Sequence, residues 1–219
     1  IIRPHQYIKN IFVLLPLFFA GQIINTGQLL DGLVAFVAFS LSASAIYIFN
    51  DYKDIKDDRK HPQKKNRPLA SGLVDKKVAL SLMIILLITG FFLMATVSVN
   101  SLIVLCAYVF LNIVYSLKLK KIALLDVTII AIGFVLRLFA GSFAYDVSLK
   151  IWIVIMTFLL ALFMALAKRR DDVLIFKKSG RKMRKSVAGY NLALIDGSML
   201  VMSAIVIVAY IQYATSQEI

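Results

Sequence analysis

Apolar residues run along this chain in long blocks that stop abruptly at short polar stretches. Val78–Val99, Ile122–Phe143 and Leu192–Tyr213 each reach the roughly 20 residues that a membrane-spanning helix needs. Leu33–Phe49 and Ile151–Ala167 meet the same length rule at its short end. Leu102–Leu117 is short but usable, and a turn at Asn100-Ser101 would pair it with the preceding helix. Ile11–Ile24 is cut short by Pro16 and by the nearby Lys9-Asn10. The pattern predicts an all-α, polytopic transmembrane helical bundle with about seven spans. One helical membrane domain over residues 1–219 is expected, with two longer polar connections at 51–77 and 168–191 capping a cavity.

Composition strengthens that picture, since 60% of residues are hydrophobic and 17% charged. No stretch reads as a cleavable signal peptide, and the start at Ile1 suggests that the natural N-terminus lies outside this sequence. The 25 Lys and Arg fall almost entirely on alternate loops: Arg3 and Lys9, Lys53 to Lys77, Lys118 to Lys121, and Lys168 to Lys185. Gln22–Gln28 and Asn100-Ser101 carry none. The positive-inside rule makes the basic side cytoplasmic. The net charge of +13 therefore reports topology, and no nucleic-acid partner is expected, because the charge is split among loops at a membrane surface. Anionic lipid headgroups and phosphorylated substrates are the natural partners. The single Cys106 lies mid-span and excludes a disulfide framework.

One polar stretch carries chemistry. Asn50-Asp51-Tyr52-Lys53-Asp54-Ile55-Lys56-Asp57-Asp58 follows directly on an apolar run and holds no Gly or Pro, so it should continue the second helix out of the bilayer. Pro62 and Pro68 then break it, and Ser71-Gly72 before Asp75-Lys76-Lys77 marks a new helix start. Asp51, Asp54 and Asp58 share one helical face, with Asn50 at its edge. Carboxylates so arranged repel one another and suit a Mg²⁺ ion, which takes one or two of them and completes its shell with water and phosphate oxygens. A solvated, mixed-charge helix end is the plainer alternative. Lys64, Lys65 and Arg67 bring phosphate-binding charge a short loop away, and His61 beside Pro62 is either a site residue or a turn residue.

Inside the apolar blocks, Asp126 and Arg137 are costly and each needs a partner or a polar cavity. Eleven residues separate them, about 16 Å along a helix, too far for a mutual ion pair. Arg137 is a candidate anchor for a buried phosphate or for a carboxylate on another helix. The cluster Lys168-Arg169-Arg170-Asp171-Asp172 could hold a second metal or a ribose hydroxyl, or be satisfied by a plain Lys168–Asp172 pair. Arg181, Lys182, Arg184 and Lys185 suit a surface helix against lipid headgroups.

The run Asn50-Asp51-x-x-Asp54-x-x-x-Asp58, with Asn66-Arg67-Pro68-Leu69-Ala70-Ser71-Gly72 behind it, resembles the first aspartate-rich motif of the UbiA superfamily of membrane-embedded transferases. Arg3-Pro4-x-Gln6-x-x-Lys9-Asn10, Asp58-Arg59-x-His61-Pro62-x-Lys64, Leu125-Asp126-Val127, Gly133-Phe134-Val135-Leu136-Arg137 and Ala167-Lys168-Arg169-Arg170 are similar to its decaprenyl-phosphate phosphoribosyltransferase branch. The resemblance implies Mg²⁺-dependent transfer of 5-phosphoribose from phosphoribosyl pyrophosphate to a polyprenyl phosphate, releasing pyrophosphate, in a pathway of cell-wall synthesis. It implies a multi-pass protein of a bacterial-type plasma membrane with a cytoplasmic active site. Asp51, Asp54 and Asp58 would be catalytic and hold the metal. Gln6, Lys9, Asn50, Lys64, Arg67, Tyr115, Lys118, Asp126, Arg137, Lys168, Arg169 and Asp172 would bind substrate. A homo-oligomer is compatible with this reading. The superfamily has nine spans, so its C-terminal pair is expected to be absent from this chain. Asp171-Asp172 imperfectly resembles the second aspartate motif of aromatic prenyltransferases, which keeps prenyl transfer from a polyprenyl diphosphate as an alternative. A transporter is the non-enzymatic alternative, but it would place its acids near the bilayer midplane.

Overall fold

A computed structural model describes residues 2–21, 26–179, 187 and 189–215, and all regular structure among them is helical. Six helices are long and apolar enough to cross a membrane: α2 (Thr26–Asp58), α4 (Lys76–Val97), α5 (Val99–Leu117), α6 (Leu125–Tyr145), α7 (Ile151–Ser179) and α8 (Leu192–Thr215). Their exposed faces carry Phe92, Phe110, Leu200, Ile207 and Tyr210, side chains that suit acyl chains and not water. The protein is an integral membrane protein.

The expected span at Ile11–Ile24, whose residues 22–24 lie outside the described ones, differs over its described part. Pro4–Val13 is a 3-10 helix, and Leu15–Phe19 (α1) is a five-residue helix with Pro16 in its first turn. Prolines starting both pieces remove the donors that a continuous α-helix would use. The break before α5 also falls earlier than expected, at the extended Ser98 and not at Asn100-Ser101.

The chain groups into two compact units, residues 1–116 with 136–148, and residues 117–135 with 149–219; α6 contributes to both. In the first unit, α2 presents small residues, Ala35, Ala38, Ser42 and Ala45, to its neighbours. Gly90 of α4 lies against Ser42 and the Ala38 carbonyl. Phe39, Met94, Leu105, Tyr108 and Ala140 fill the core beside them. At 33 residues α2 is about 50 Å long, well beyond a hydrocarbon core of roughly 30 Å. Its last turns, Asp51 to Asp58, therefore extend past the apolar layer as the unbroken polar run predicts.

The connection that follows doubles back. Arg59 Nε donates to the Ala70 carbonyl at 3.0 Å, and α3 (Pro68–Ser71) ends on the left-handed Gly72. The Asp75 side chain caps α4 by accepting from the Lys77 amide at 2.6 Å.

Gly141 packs on the Val13 backbone, and the Tyr145 hydroxyl donates to the same Val13 carbonyl at 3.1 Å. A Gly141→Val substitution would drive a side chain into backbone that has nowhere to go. It is expected to cost about 1–3 kcal/mol, read as a lower thermal unfolding midpoint in detergent.

In the second unit α7 packs on α8 around Val127, Leu166, Val173, Tyr190 and Ile195. An exposed pair, Arg170 Nε to Asp196 Oδ1 at 2.6 Å, joins the two helices.

Candidate active site

The acidic end of α2 is held by arginines. Asp51 and Asp58 are only 4% and 3% exposed, and buried carboxylates persist only with positive charge and donors around them. Arg3 Nη2 reaches both Asp51 oxygens, at 2.6 and 2.8 Å. Arg67 Nη1 bridges the two acids, 3.1 Å from Asp51 Oδ1 and 2.7 Å from Asp58 Oδ2. Arg67 is brought there by its extended backbone before Pro68, with ψ 141°, after the short 3-10 turn Lys64–Asn66. Asp54, half-buried, lies on the same helix.

Arg3 reaches Asp51 because its segment is laced to α2. Tyr7 and Ser44 share a hydrogen bond of 2.9 Å, and the buried Asn10 donates to Ser40 Oγ at 3.0 Å. Ser40, Ser44, Tyr47 and Asp51 are spaced four, three and four residues apart, so they form one face of α2. Tyr47 lies under the Arg3 guanidinium, 5.3 Å from ring centroid to Cζ. Gln6, half-buried, and Lys9, exposed, ride on the same segment. Asn50 and Lys64 are half-buried within the first unit, as is Tyr115.

Among the described residues no three carboxylate, imidazole or thiol groups converge as a ready-made cage for a metal ion. The structure brings together Asp51 and Asp58, through a shared cation, where three converging acids had been expected. Mg²⁺ asks for no more than this, since it is usually held by one or two carboxylates plus substrate phosphates. The donor set is all hard oxygen, and one cationic atom already reaches both acids. The residues present therefore fit a divalent ion. His61 resolves as a turn residue: its Nδ1 accepts from the amides of Gln63, at 3.2 Å, and Lys64, at 3.3 Å.

Arg137 is 5% exposed, and neutral groups take hydrogen bonds from two of its nitrogens. Its Nε donates to Asn10 Oδ1 at 2.9 Å and its Nη2 to the Tyr108 hydroxyl at 2.9 Å, with the Phe39 and Tyr108 rings against its face. Through Asn10 it steadies the segment that carries Arg3.

The second unit holds a separate buried network. Asp126 sits in the first turn of α6, where the helix dipole favours a negative charge, and is fully buried. Arg169 Nε donates to Asp126 Oδ2 at 2.7 Å and Arg169 Nη1 to Asp172 Oδ2 at 2.7 Å. Asp172 thus pairs three residues back along α7, not with the exposed Lys168 as its spacing had suggested. The Tyr190 hydroxyl donates to Asp126 Oδ1 and accepts from the Leu124 amide at 3.0 Å. Leu124 has φ 67°, a left-handed conformation that costs a leucine roughly 1–2 kcal/mol and that this bond helps to hold. Lys118 and Asp171 are exposed. Arg181, Lys182, Arg184 and Lys185 lie outside the described residues.

Burial, then the bond to Asp126, raises the Tyr190 phenol above its ordinary value of 10. A raised value means that the native state holds this proton more tightly than the unfolded chain. The resulting stability is present below about pH 10 and disappears as pH climbs through the native value. Tyr190→Phe is therefore expected to remove one component from the part of the tyrosinate absorbance titration that lies above the ordinary phenol range and to leave the ordinary steps in place.

Arg3, Tyr190 and the Asn10–Tyr108 seat of Arg137 had not been assigned roles. Arg3 stood in a recognisable motif without a partner. Tyr190 had no signal, because its partner Asp126 lies 64 residues away.

Comparison with known proteins shows the family. The chain is 34% identical over 221 residues to a decaprenyl-phosphate phosphoribosyltransferase of Mycolicibacterium smegmatis, covering 99% of this chain and 70% of that protein. It is 35% identical over 193 residues to the same-named protein of Corynebacterium glutamicum, covering 86% of this chain but 58% of that one. A solved UbiA homolog from Archaeoglobus fulgidus, bound to DMAPP and Mg²⁺, shares its fold with a TM-score of 0.70 at 21% identity, over 86% of this chain and 66% of that one. Residues 11–217 match the UbiA prenyltransferase family, and the chain belongs to that family of membrane transferases.

Proposed function

We propose that the chain transfers 5-phosphoribose from phosphoribosyl pyrophosphate to a polyprenyl phosphate, releasing pyrophosphate. The observation that carries the reading is the Asp51–Arg67–Asp58 bridge at the exit of α2: buried acids and a phosphate-matched guanidinium in one place. The phosphoribosyl group and the polyprenyl phosphate are suggested by the names of the relatives, at 34% and 35% identity.

Asp51 and Asp58, with Asp54 on the same helix, would hold Mg²⁺, which when bound would draw charge from the departing pyrophosphate. Arg67 and Arg3 lie within reach of the same position and would fork onto phosphate oxygens. Lys9, Lys64, Gln6 and Asn50 would add donors around the anion. The anomeric C–O bond breaks with its electron pair leaving on pyrophosphate, and an oxygen of the lipid phosphate forms the new bond to that carbon. The nucleophile is already an anion, so no side chain has to take a proton. That matches a site of acids, arginines and lysines beside which His61 is spent on a turn. The basic loops, by the positive-inside rule, support a cytoplasmic position for this end of α2.

The test is transfer of label from radiolabelled phosphoribosyl pyrophosphate to a polyprenyl phosphate by the purified chain in detergent. Mg²⁺-dependent label in the lipid phase is expected. Turnover of a polyprenyl diphosphate with an aromatic acid instead would replace this reading with prenyl transfer.

A further inference from the structure

We propose that Arg3 and Arg67 are exchangeable counter-ions, which neutralise Asp51 and Asp58 until a divalent cation takes the acids, and then move to the diphosphate. This rests on the metal-binding reading above and adds to it a role for Arg3 and a competition between guanidinium and metal.

The geometry points this way on three counts. Two guanidinium charges face two buried carboxylates, the same positive charge that one divalent ion would bring. The acids are beneath and the arginines at the rim: the Asp51 and Asp58 side chains are 5% and 4% exposed, those of Arg3 and Arg67 each 28%. The guanidinium groups can therefore turn toward solvent or ligand at little cost, whereas the carboxylates cannot follow them. Finally, Arg3 reaches both oxygens of Asp51 through one nitrogen, Nη2, and a guanidinium has five N–H donors with which to take phosphate oxygens instead. Arg3 is poised for the exchange because the Tyr7–Ser44 and Asn10–Ser40 bonds hold its segment on α2 whether or not it keeps Asp51. The Tyr47 ring, one turn below Asp51, lies against the guanidinium in the same arrangement.

The consequence is a reversal of sign. A competitor removed from Asp51 should tighten binding of the metal alone, while a phosphate ligand removed should weaken binding of metal with diphosphate. A merely structural arginine would weaken both.

The experiment titrates the purified chain in detergent with Mn²⁺, following free Mn²⁺ by electron paramagnetic resonance, with and without inorganic pyrophosphate. Arg3→Gln and Arg67→Gln are expected to bind Mn²⁺ alone about 5-fold or more tightly than wild type, and Mn²⁺-pyrophosphate more weakly by a similar factor. Arg3→Lys, which keeps the charge, should stay near wild type for Mn²⁺ alone. If Arg3→Gln does not fold, Arg67→Gln and Arg3→Lys carry the test. Unchanged or weaker Mn²⁺ affinity in the glutamine variants, with binding lost in Asp51→Asn, overturns the exchange and leaves the metal site standing. Equal Mn²⁺ binding by wild type and Asp51→Asn overturns both.

Discussion

Asp51→Asn is expected to lower the rate of transfer by at least on the order of 10²–10³ while leaving the protein folded. Asparagine keeps the size and one acceptor oxygen of the side chain but brings no charge, so a cation shared with Asp58 loses half of its anionic seat. The fold should tolerate the change, because the two arginines that lose a partner are partly exposed and can be rehydrated. A loss of about 1 kcal/mol is expected, a shift of roughly 2–4 °C in Tm for a chain of this size. Asp57→Asn is the control: that side chain is exposed, and its loss should not affect transfer. Lipid-phase label and a thermal melt on the same preparations decide the matter. Near-wild-type turnover in Asp51→Asn would remove the acids from the mechanism.

Asp126→Asn should do the opposite, damaging stability first. Arg169 is 2% exposed and would be left with Asp172 as its one recorded carboxylate. Breaking a buried pair from one side costs roughly 3–5 kcal/mol, because the other charge stays behind without compensation. With Asp172 and the amide oxygen still in place, the lower end applies, a fall in Tm on the order of 10 °C. A double variant, Asp126→Leu with Arg169→Leu, removes both charges and should recover much of that loss. It also separates two roles for the Asp126–Arg169 pair. If the pair only braces the second unit, transfer returns with stability; a stable but inactive double variant would give the pair a part in transfer.

These expectations draw on features of unequal legibility. The helical membrane fold was readable because the bilayer demands apolar runs of a set length, and α4, α6, α7 and α8 obey it. The acidic face of α2 was readable because Asp51, Asp54 and Asp58 are close in sequence and helical spacing alone aligns them. Ile11–Ile24 counts among the expected spans although Pro16 and Lys9-Asn10 shorten it, and the structure breaks Pro4–Phe19 into two short helical pieces. The need of Asp126 and Arg137 for separate partners was legible from their spacing; the identities Arg169, Tyr190, Asn10 and Tyr108 were not. Those contacts join residues 29 to 127 positions apart, and no local pattern encodes such pairings.

By itself, then, the order of residues determined that this protein is a membrane-spanning helical transferase of the UbiA type with an acidic end to one long helix. Periodicity and hydropathy are local properties, and the motif is compact enough to survive as text. Only the tertiary structure decided which cations answer which acids: Arg3 and Arg67 for Asp51 and Asp58, Arg169 for Asp126. Burial creates that demand for compensation, and burial exists only once the helices have packed.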